Sequence, residues 1–157
     1  MKKTLLFLFL LLLNSTPLLS QINPKNIEIV RDNYGVPHIY GKTDADVAYG
    51  LAWAHCEDDF KTIQEGYLAG NGLLSKYIGT KGAGADLITQ VIESEKTVDE
   101  LYHTLSPEFI KILEAYSQGM NKYAEIYPNQ VLVKKLFPIT PKKMARYSFL
   151  QLFISNQ

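Results

Sequence analysis

The densest group of chemically reactive side chains in this sequence is the run at residues 55–59, which reads His-Cys-Glu-Asp-Asp. Imidazole, thiolate and carboxylate groups are all metal ligands, so the run could indicate a metal site. However, adjacent residues on a helix point about 100° apart, and the run lacks the His-Glu-x-x-His spacing that places two histidines on one helical face. We therefore predict no metal site. We expect Cys56 to be a small buried group and Asp58 a structural, hydrogen-bonding acid.

The other histidines add no obvious catalytic centre. His38 falls in a predicted strand, where a histidine is more often a hydrogen-bonded structural residue than a catalytic one, and His103 is expected on a solvated face. Cys56 is the sole cysteine, so the chain has no intrachain disulfide.

The first predicted element is a β-hairpin. Residues 27–31 alternate apolar and polar side chains, residues 32–35 supply turn chemistry, and residues 36–40 resume the extended pattern. Gly35 can adopt a positive φ in the turn, and Pro37 is tolerated where the strand needs no backbone donor. We therefore assign Gly35 and Pro37 to a structural motif.

A long helix is predicted next. Thr43 and Asp46 form a capping box at its start, and the apolar residues Val47, Leu51 and Ala54 recur on one face. Small side chains along this helix would allow a neighbouring element to approach closely; they are Ala48, Gly50, Ala52 and Ala54.

Two further helix starts precede the last segment. Thr97 and Glu100 resemble a second capping box, and Ser106 followed by Pro107 marks a start that leads into an apolar stripe of about five turns. Residues 79–86 are rich in glycine and are the part of the chain that looks flexible.

Thr140 and Pro141 are predicted to begin a final helix. Its apolar side chains point in all directions, which is typical of a helix buried on every side. So few residues follow it that we expect another chain, or a longer form of this one, to cover Phe149, Leu150, Leu152, Phe153 and Ile154.

The first 20 residues have the features of a secretory signal peptide. Lys2 and Lys3 precede an apolar run at 5–13, and Ser20 is a small residue suited to the position before a cleavage site. The run is too short to act as a stable membrane anchor. We therefore predict a periplasmic or secreted protein whose mature region is residues 21–157.

The charge balance argues against a nucleic-acid partner. The chain has 16 basic and 16 acidic residues, and loss of residues 1–20 removes two lysines and no acids, so the net charge changes from 0 to −2. A mildly acidic chain without a basic patch lacks the electrostatic footprint of a nucleic-acid binder.

Four segments together resemble the penicillin acylase family of N-terminal-nucleophile hydrolases. They are residues 31–39 (RDNYGVPHI), 49–59 (YGLAWAHCEDD), 70–72 and 74–79. Within the family they are most similar to the acyl-homoserine lactone and aculeacin acylase branch. The resemblance implies that this chain is the α-subunit portion of a precursor, or zymogen, that cuts itself into α and β chains.

The resemblance also implies a fold and a reaction. The fold would be α+β, with this chain supplying an N-terminal β-hairpin and then mainly helices to an αββα sandwich. The enzyme would hydrolyse a linear amide bond and release the acyl group of an acyl-homoserine lactone, a lipopeptide or a β-lactam side chain. The nucleophile would be the N-terminal serine of the β subunit, whose own α-amino group has a pKa near 8 and acts as the base.

The resemblance assigns no catalytic residue to this chain. The nucleophilic serine of the family follows a glycine, and no Gly-Ser pair occurs here. Phe149, Leu152 and Phe153 are expected either to line the acyl pocket or to form plain inter-subunit core, and the two alternatives have equal weight. Bound calcium would also be compatible with the family, but we identify no ligands for it.

The family motif also includes an aspartate at the position of Asp58, which is not the nucleophile. Glu57 stands where the most similar branch usually has a basic residue, which puts an ion pair at this position in doubt.

Three classes of function remain open from the sequence. The chain could be a secreted amidase α subunit, a non-catalytic or degenerate fragment that binds without turnover, or a helical binding module. The absence of a nucleophile does not distinguish an amidase α subunit from a non-catalytic fragment, because the α subunit lacks the nucleophile in active enzymes as well. A continuation of the gene with a linker, Gly-Ser and an apolar strand would favour the enzyme.

Residues 21–157 expressed alone should aggregate or be partly molten. Each large apolar side chain of the final helix that stays exposed forfeits about 1.5–3 kcal/mol, and the sum is comparable with the stability of a whole domain. Co-expression with the downstream chain should restore a soluble product in size-exclusion chromatography. A monodisperse product that unfolds cooperatively without that chain would contradict this prediction.

Overall fold

The computed structural model describes residues 21–156, so the predicted signal peptide lies outside the described residues. Strand β1, Glu28–Arg31, pairs antiparallel with β2, Pro37–Tyr40, and Arg31 stands opposite Pro37. Gly35 in the connecting turn has a φ of 82°, a conformation that glycine adopts without strain. The predicted hairpin is therefore confirmed.

Mostly helices follow the hairpin, as predicted. The described part of the chain contains α1, Asp44–Gly70; α2, Ser75–Ile78; α3, Ala83–Val91; α4, Ser94–Leu101; α5, Pro107–Ile126; and α6, Pro141–Ser155. Helix α1 packs along α5 and also against α6, and the hairpin lies against α1. These three long helices enclose the main apolar core.

Side-chain caps begin the three long helices at the predicted residues. The side chain of Thr43 accepts a hydrogen bond from the backbone nitrogen of Asp46, and Asp46 accepts one from the backbone nitrogen of Thr43, both at 3.1 Å. Ser106 and Thr140 cap α5 and α6 in the same way. Each cap satisfies a backbone donor that has no partner within its helix.

The capping box predicted at Thr97 is wrong. Helix α4 already begins at Ser94, and Thr97 lies inside it. The chain turns at Glu93, which adopts a left-handed conformation with φ of 49°, so the turn rather than a side-chain cap fixes the start of α4.

The glycine-rich stretch at residues 79–86 is ordered as a 3₁₀ turn and the start of α3, contrary to the flexible loop suggested by its composition. The reason is Asp86, whose buried carboxylate accepts hydrogen bonds from the backbone nitrogens of Leu74 and Ser75, both at 2.8 Å. A contact between residues so far apart in sequence is not visible in local composition.

Small residues bring α1 and α5 together. A Cβ added to Gly119 would lie 2.6 Å from the carbonyl oxygen of Tyr49 and 2.9 Å from the Cβ of Ala52. The predicted role of small side chains is therefore confirmed, but of the predicted apolar face only Ala54 is fully buried. Leu51 is 37% exposed, whereas Ala52 and Cys56 are buried, because two backbones this close leave no room for larger side chains between them.

Two amide side chains fix the connection between α5 and α6. The fully buried Gln64 donates to the carbonyl oxygen of Gln130 at 3.1 Å and accepts from the backbone nitrogen of Leu132 at 2.9 Å. Asn121 similarly accepts from the backbone nitrogen of Ile139 and donates to its carbonyl oxygen. These bonds determine where α6 begins relative to α1 and α5.

Within the described chain, α6 is covered on one side only. Leu150 is buried, but Leu152, Phe153 and Ile154 are 63%, 40% and 51% exposed. Three of the side chains that we expect another chain to cover are thus exposed within the described residues, and the last turn of α6 presents an apolar surface.

Replacing Gly119 with alanine should destabilise the fold, because the added methyl group would force α1 and α5 apart. Overpacking of this kind costs about 1–3 kcal/mol. Gly84→Ala is the matched control, since it lies in a helix with no heavy atom within 4 Å of the added Cβ. Urea unfolding of the product co-expressed with the downstream chain should show a lower midpoint for Gly119→Ala and an equal or higher one for Gly84→Ala. Equal midpoints would rule out a tight contact at Gly119.

Candidate functional site

A charged cluster connects the hairpin to α1. The guanidinium of Arg31 lies 2.7 Å from the Oδ1 atom of Asp58 and 3.3 Å from the Oε2 atom of Glu57, and it also donates to the carbonyl oxygen of Gly35 at 2.8 Å. Hydrogen bonds to Asp58 and then to Glu57 raise the pKa of Arg31. The side chain of Arg31 therefore joins the turn that contains Gly35 to the helix that contains Asp58.

This cluster accounts for the sequence motif at 31–39 and its partner at 49–59. Asp58 takes part in an ion pair with Arg31 on the surface, and its structural role stays a prediction. The doubt about an ion pair at Glu57 was wrong, because Arg31 reaches this carboxylate and the indole Nε1 of Trp53 donates to it at 2.8 Å.

A second set of bonds shapes the hairpin turn itself. Asp32 accepts hydrogen bonds from the backbone nitrogens of Tyr34 and Val36 at 2.8 and 3.0 Å, and these bonds lower the pKa of its carboxyl group. The Nε2 atom of His38 lies 3.3 Å from the same carboxylate. The structural role predicted for His38 is therefore confirmed.

Helix α1 is interrupted at Asp59, the last residue of the segment 49–59. Asp59 has non-helical dihedral angles, and its carboxylate accepts a hydrogen bond from the backbone nitrogen of Thr62 at 3.0 Å. This is the geometry of an N-cap, so Asp59 ends the first half of α1 and begins the second. The apolar periodicity continues across this break, and the local signal for it is that aspartate is a favoured N-cap residue.

The break opens onto a cavity of about 480 Å³ between α1, α5 and α6, which we call the site cavity. Its size falls within the range of pockets that bind small molecules. Apolar side chains from all three helices line most of it, among them Ile63, Leu113 and Met144, while Asp58 and Asp59 lie at its edge.

One hydrogen-bonded pair gives the site cavity its polar groups. The Nδ1 atom of His55 and the hydroxyl oxygen of Tyr116 lie 2.9 Å apart, and both residues line the cavity. Burial raises the pKa of Tyr116, so its hydroxyl stays protonated. The sequence pattern places Tyr116 in an apolar stripe and His55 in a run of metal-ligand residue types, so this pair is not visible before α1 and α5 pack together.

Tyr147 forms the wall of the site cavity on α6. A Cβ added to Gly66 would lie 2.8 Å from its ring, and one added to Gly70 would collide with its backbone. Helix α6 therefore lies directly on the two glycines of α1. This close contact fixes the position of α6 at the cavity.

Two of the three predicted acyl-pocket residues line a neighbouring, smaller space. Phe149 and Leu152 line an apolar cavity of about 200 Å³ between α4, α5 and α6, which we call the side cavity. Phe153 is not among the described residues that line either cavity, and it is 40% exposed.

Cys56 lies next to the site cavity but is enclosed by the core. It is 1% exposed, and burial, with a smaller contribution from the charge of Glu57, raises the pKa of its thiol to about 12. The expectation of a small buried group is confirmed. Among residues 21–156, no three His, Cys, Asp or Glu side chains are grouped closely enough to hold a metal ion.

The family model for penicillin amidase matches residues 26–153, which is most of the chain. The chain therefore belongs to the penicillin amidase family, whose members are acylases and amidases. The hairpin, the charged cluster and the helices around the site cavity all fall within the matched segment.

Curated relatives include enzymes with two different substrates. Penicillin G acylase of Escherichia coli is 26% identical over 147 residues, which is 90% of this chain and 17% of that protein. Acyl-homoserine lactone acylase QuiP of Pseudomonas fluorescens is 27% identical over 107 residues, or 68% of this chain and 13% of that protein. The chain thus spans less than a fifth of the length of these relatives.

A solved structure confirms the fold. Thermostable penicillin G acylase from Alcaligenes faecalis superposes with a TM-score of 0.68, covering 83% of this chain and 75% of the matched chain at 19% identity. The predicted α+β arrangement, a hairpin followed mainly by helices, is therefore confirmed. None of the helices formed by residues 21–156 has the length and apolar character needed to cross a membrane.

Cys56 should resist thiol reagents in the folded protein. Its high pKa leaves almost no thiolate, the reactive form, between about pH 8 and 10. Labelling with a disulfide reagent should be slow in buffer and complete in concentrated guanidinium chloride. Rapid labelling of the folded protein would contradict the burial.

The same pKa predicts a pH dependence of stability. The folded thiol has a pKa of about 12 against an ordinary value of 9.0, so the folded state holds the proton that the unfolded state loses between these values. The free energy of unfolding should therefore decrease across this window, by up to about 1.4 kcal/mol per pH unit. Cys56→Ala should lack this component, so its stability relative to the wild type should improve as the pH rises from 9.

Proposed function

We propose that this chain is the α-subunit portion of an exported amidohydrolase that removes the acyl group from an amide. The substrates would be acyl-homoserine lactones, lipopeptides or β-lactams with an acyl side chain. The observation that carries the proposal is the match of residues 26–153 to the penicillin amidase family model.

In this proposal the nucleophile is the N-terminal serine of a β subunit made from the same precursor. Its α-amino group would take the proton of the serine hydroxyl, and the serine oxygen would attack the amide carbonyl, release the amine and leave an acyl-enzyme for water to hydrolyse. Donors that stabilise the oxyanion are worth about 10²–10³ in rate each, and they too would come from outside this chain.

This chain would contribute binding and orientation. The site cavity offers apolar walls for an acyl group and the Tyr116 hydroxyl as a hydrogen-bonding group for a polar atom. Each methylene group transferred from water into such a cavity contributes about 0.8 kcal/mol. An acyl chain held there would keep the amide carbonyl at a fixed distance from the nucleophile.

Phe149, Leu152 and Phe153 would extend this apolar surface. Phe149 and Leu152 line the side cavity, and the exposed ring of Phe153 lies on the same last turns of α6. The competing hypothesis is that all three form only the core between two subunits.

The test is to express the complete gene and to assay the purified product. It should hydrolyse at least one member of a panel that contains acyl-homoserine lactones of increasing acyl length, a phenylacetyl amide and a lipopeptide. The product should also separate into two chains on denaturing gels. A protein that binds these amides without hydrolysing any of them would instead support a non-catalytic binding protein.

Leu152→Ala in the complete enzyme should change the preferred acyl length and raise KM more than it lowers stability. Ile154→Ala is a matched control, because this side chain is also exposed on α6 but lines neither cavity among the described residues. If the end of α6 is only subunit core, both variants should cost about 2–5 kcal/mol of stability. They would then lower activity equally for every acyl length.

A further inference from the structure

Phe109 of α5 and Ser148 of α6 lie between the two apolar cavities. Of the described residues that line the site cavity and the side cavity, these two alone line both. The cavities are therefore neighbours, and this pair of side chains forms the wall that divides them.

Phe109 provides most of this wall. Ser148 is small, and its hydroxyl donates to the carbonyl oxygen of Met144 in its own helix at 3.2 Å, so it presents little polarity to either cavity. The ring of Phe109 is the large group of the pair, and it is 42% exposed rather than locked in the core.

The backbone of Phe109 is fixed although its side chain is not. Its backbone nitrogen donates to the Oγ atom of Ser106 at 3.2 Å, in the cap that begins α5 behind Pro107. Rotation of the ring is therefore the movement that could open or close the passage. A change of side chain at position 109 should leave the start of the helix intact.

Both sides of the wall suit the same kind of ligand. The site cavity has Ile63 and Leu113 near Phe109, and the side cavity continues with Val98, Leu101 and Leu105. An unbranched hydrocarbon chain that passed Phe109 would remain in contact with apolar side chains along its length and out of water.

We propose that Phe109 determines the length of acyl chain that the enzyme accepts, an inference that rests on the function proposed above. Short acyl groups end in the site cavity, and longer ones must displace the ring to reach the side cavity. The preferred substrates are then amides of straight-chain fatty acids, and the residue acts on specificity rather than on the chemical step.

The experiment measures kcat/KM of the complete, processed enzyme for N-acyl-homoserine lactones from butanoyl to tetradecanoyl. Phe109→Ala should raise the ratio of long-chain to short-chain activity at least tenfold, because each further methylene buried beyond the wall is worth about fourfold. Phe109→Trp should shift the ratio the opposite way. Leu87→Ala, at an exposed position on α3 away from both cavities, should leave the ratio unchanged.

Opposite shifts in the alanine and tryptophan variants would support the inference, and thermal unfolding would establish that both variants are folded. If the wild type hydrolyses the panel but both variants keep its length profile, Phe109 is not a length determinant and the inference is overturned while the proposed function stands. If the wild type hydrolyses no member of the panel or any other acyl amide, the proposed function fails and this inference fails with it.

Discussion

The rest of the structure depends on the close approach of α1 to two other helices. Gly119 of α5 lies against the backbone of Tyr49, and Gly66 and Gly70 of α1 lie against Tyr147 of α6. Each contact allows backbones to approach within a distance that no larger residue would permit. The three helices consequently meet as one core, and the site cavity occurs where α1 breaks at Asp59 and the packing opens.

The hairpin is secured to this core by charge and hydrogen bonding as well as by packing. Arg31 bonds to the turn carbonyl of Gly35 and to two carboxylates of α1, so the two most distinctive segments of the sequence belong to one structural unit. Surface ion pairs contribute little stability individually. The value of this cluster therefore lies in orientation, since it sets the angle between the hairpin and the first half of α1.

The two cavities show how a largely apolar surface can still discriminate among ligands. Hydrophobic transfer depends on the area removed from water and not on direction, so an apolar wall alone distinguishes ligands mainly by size. The His55–Tyr116 pair adds one directional contact in the site cavity, and Phe109 adds a steric limit between the cavities. Under the proposed function, this chain would in this way help to determine which amides the enzyme accepts.

Sequence alone determined the elements whose signals are local. The hairpin, the capping box at Thr43 and the starts at Ser106 and Thr140 depend on residues within a few positions of each other, and the structure confirms them. The family resemblance carried by residues 31–39 and 49–59 is likewise confirmed by the family model.

Only the tertiary structure decided the features that depend on distant contacts. Asp86 orders a glycine-rich stretch that local composition suggests is flexible, and the close packing of α1 on α5 buries small residues while it exposes Leu51. The pairing of His55 with Tyr116 and the position of Phe109 between two cavities also follow from how helices far apart in sequence meet. Periodicity shows that a helix has an apolar face, but the distance to its neighbour decides which side chains fit there.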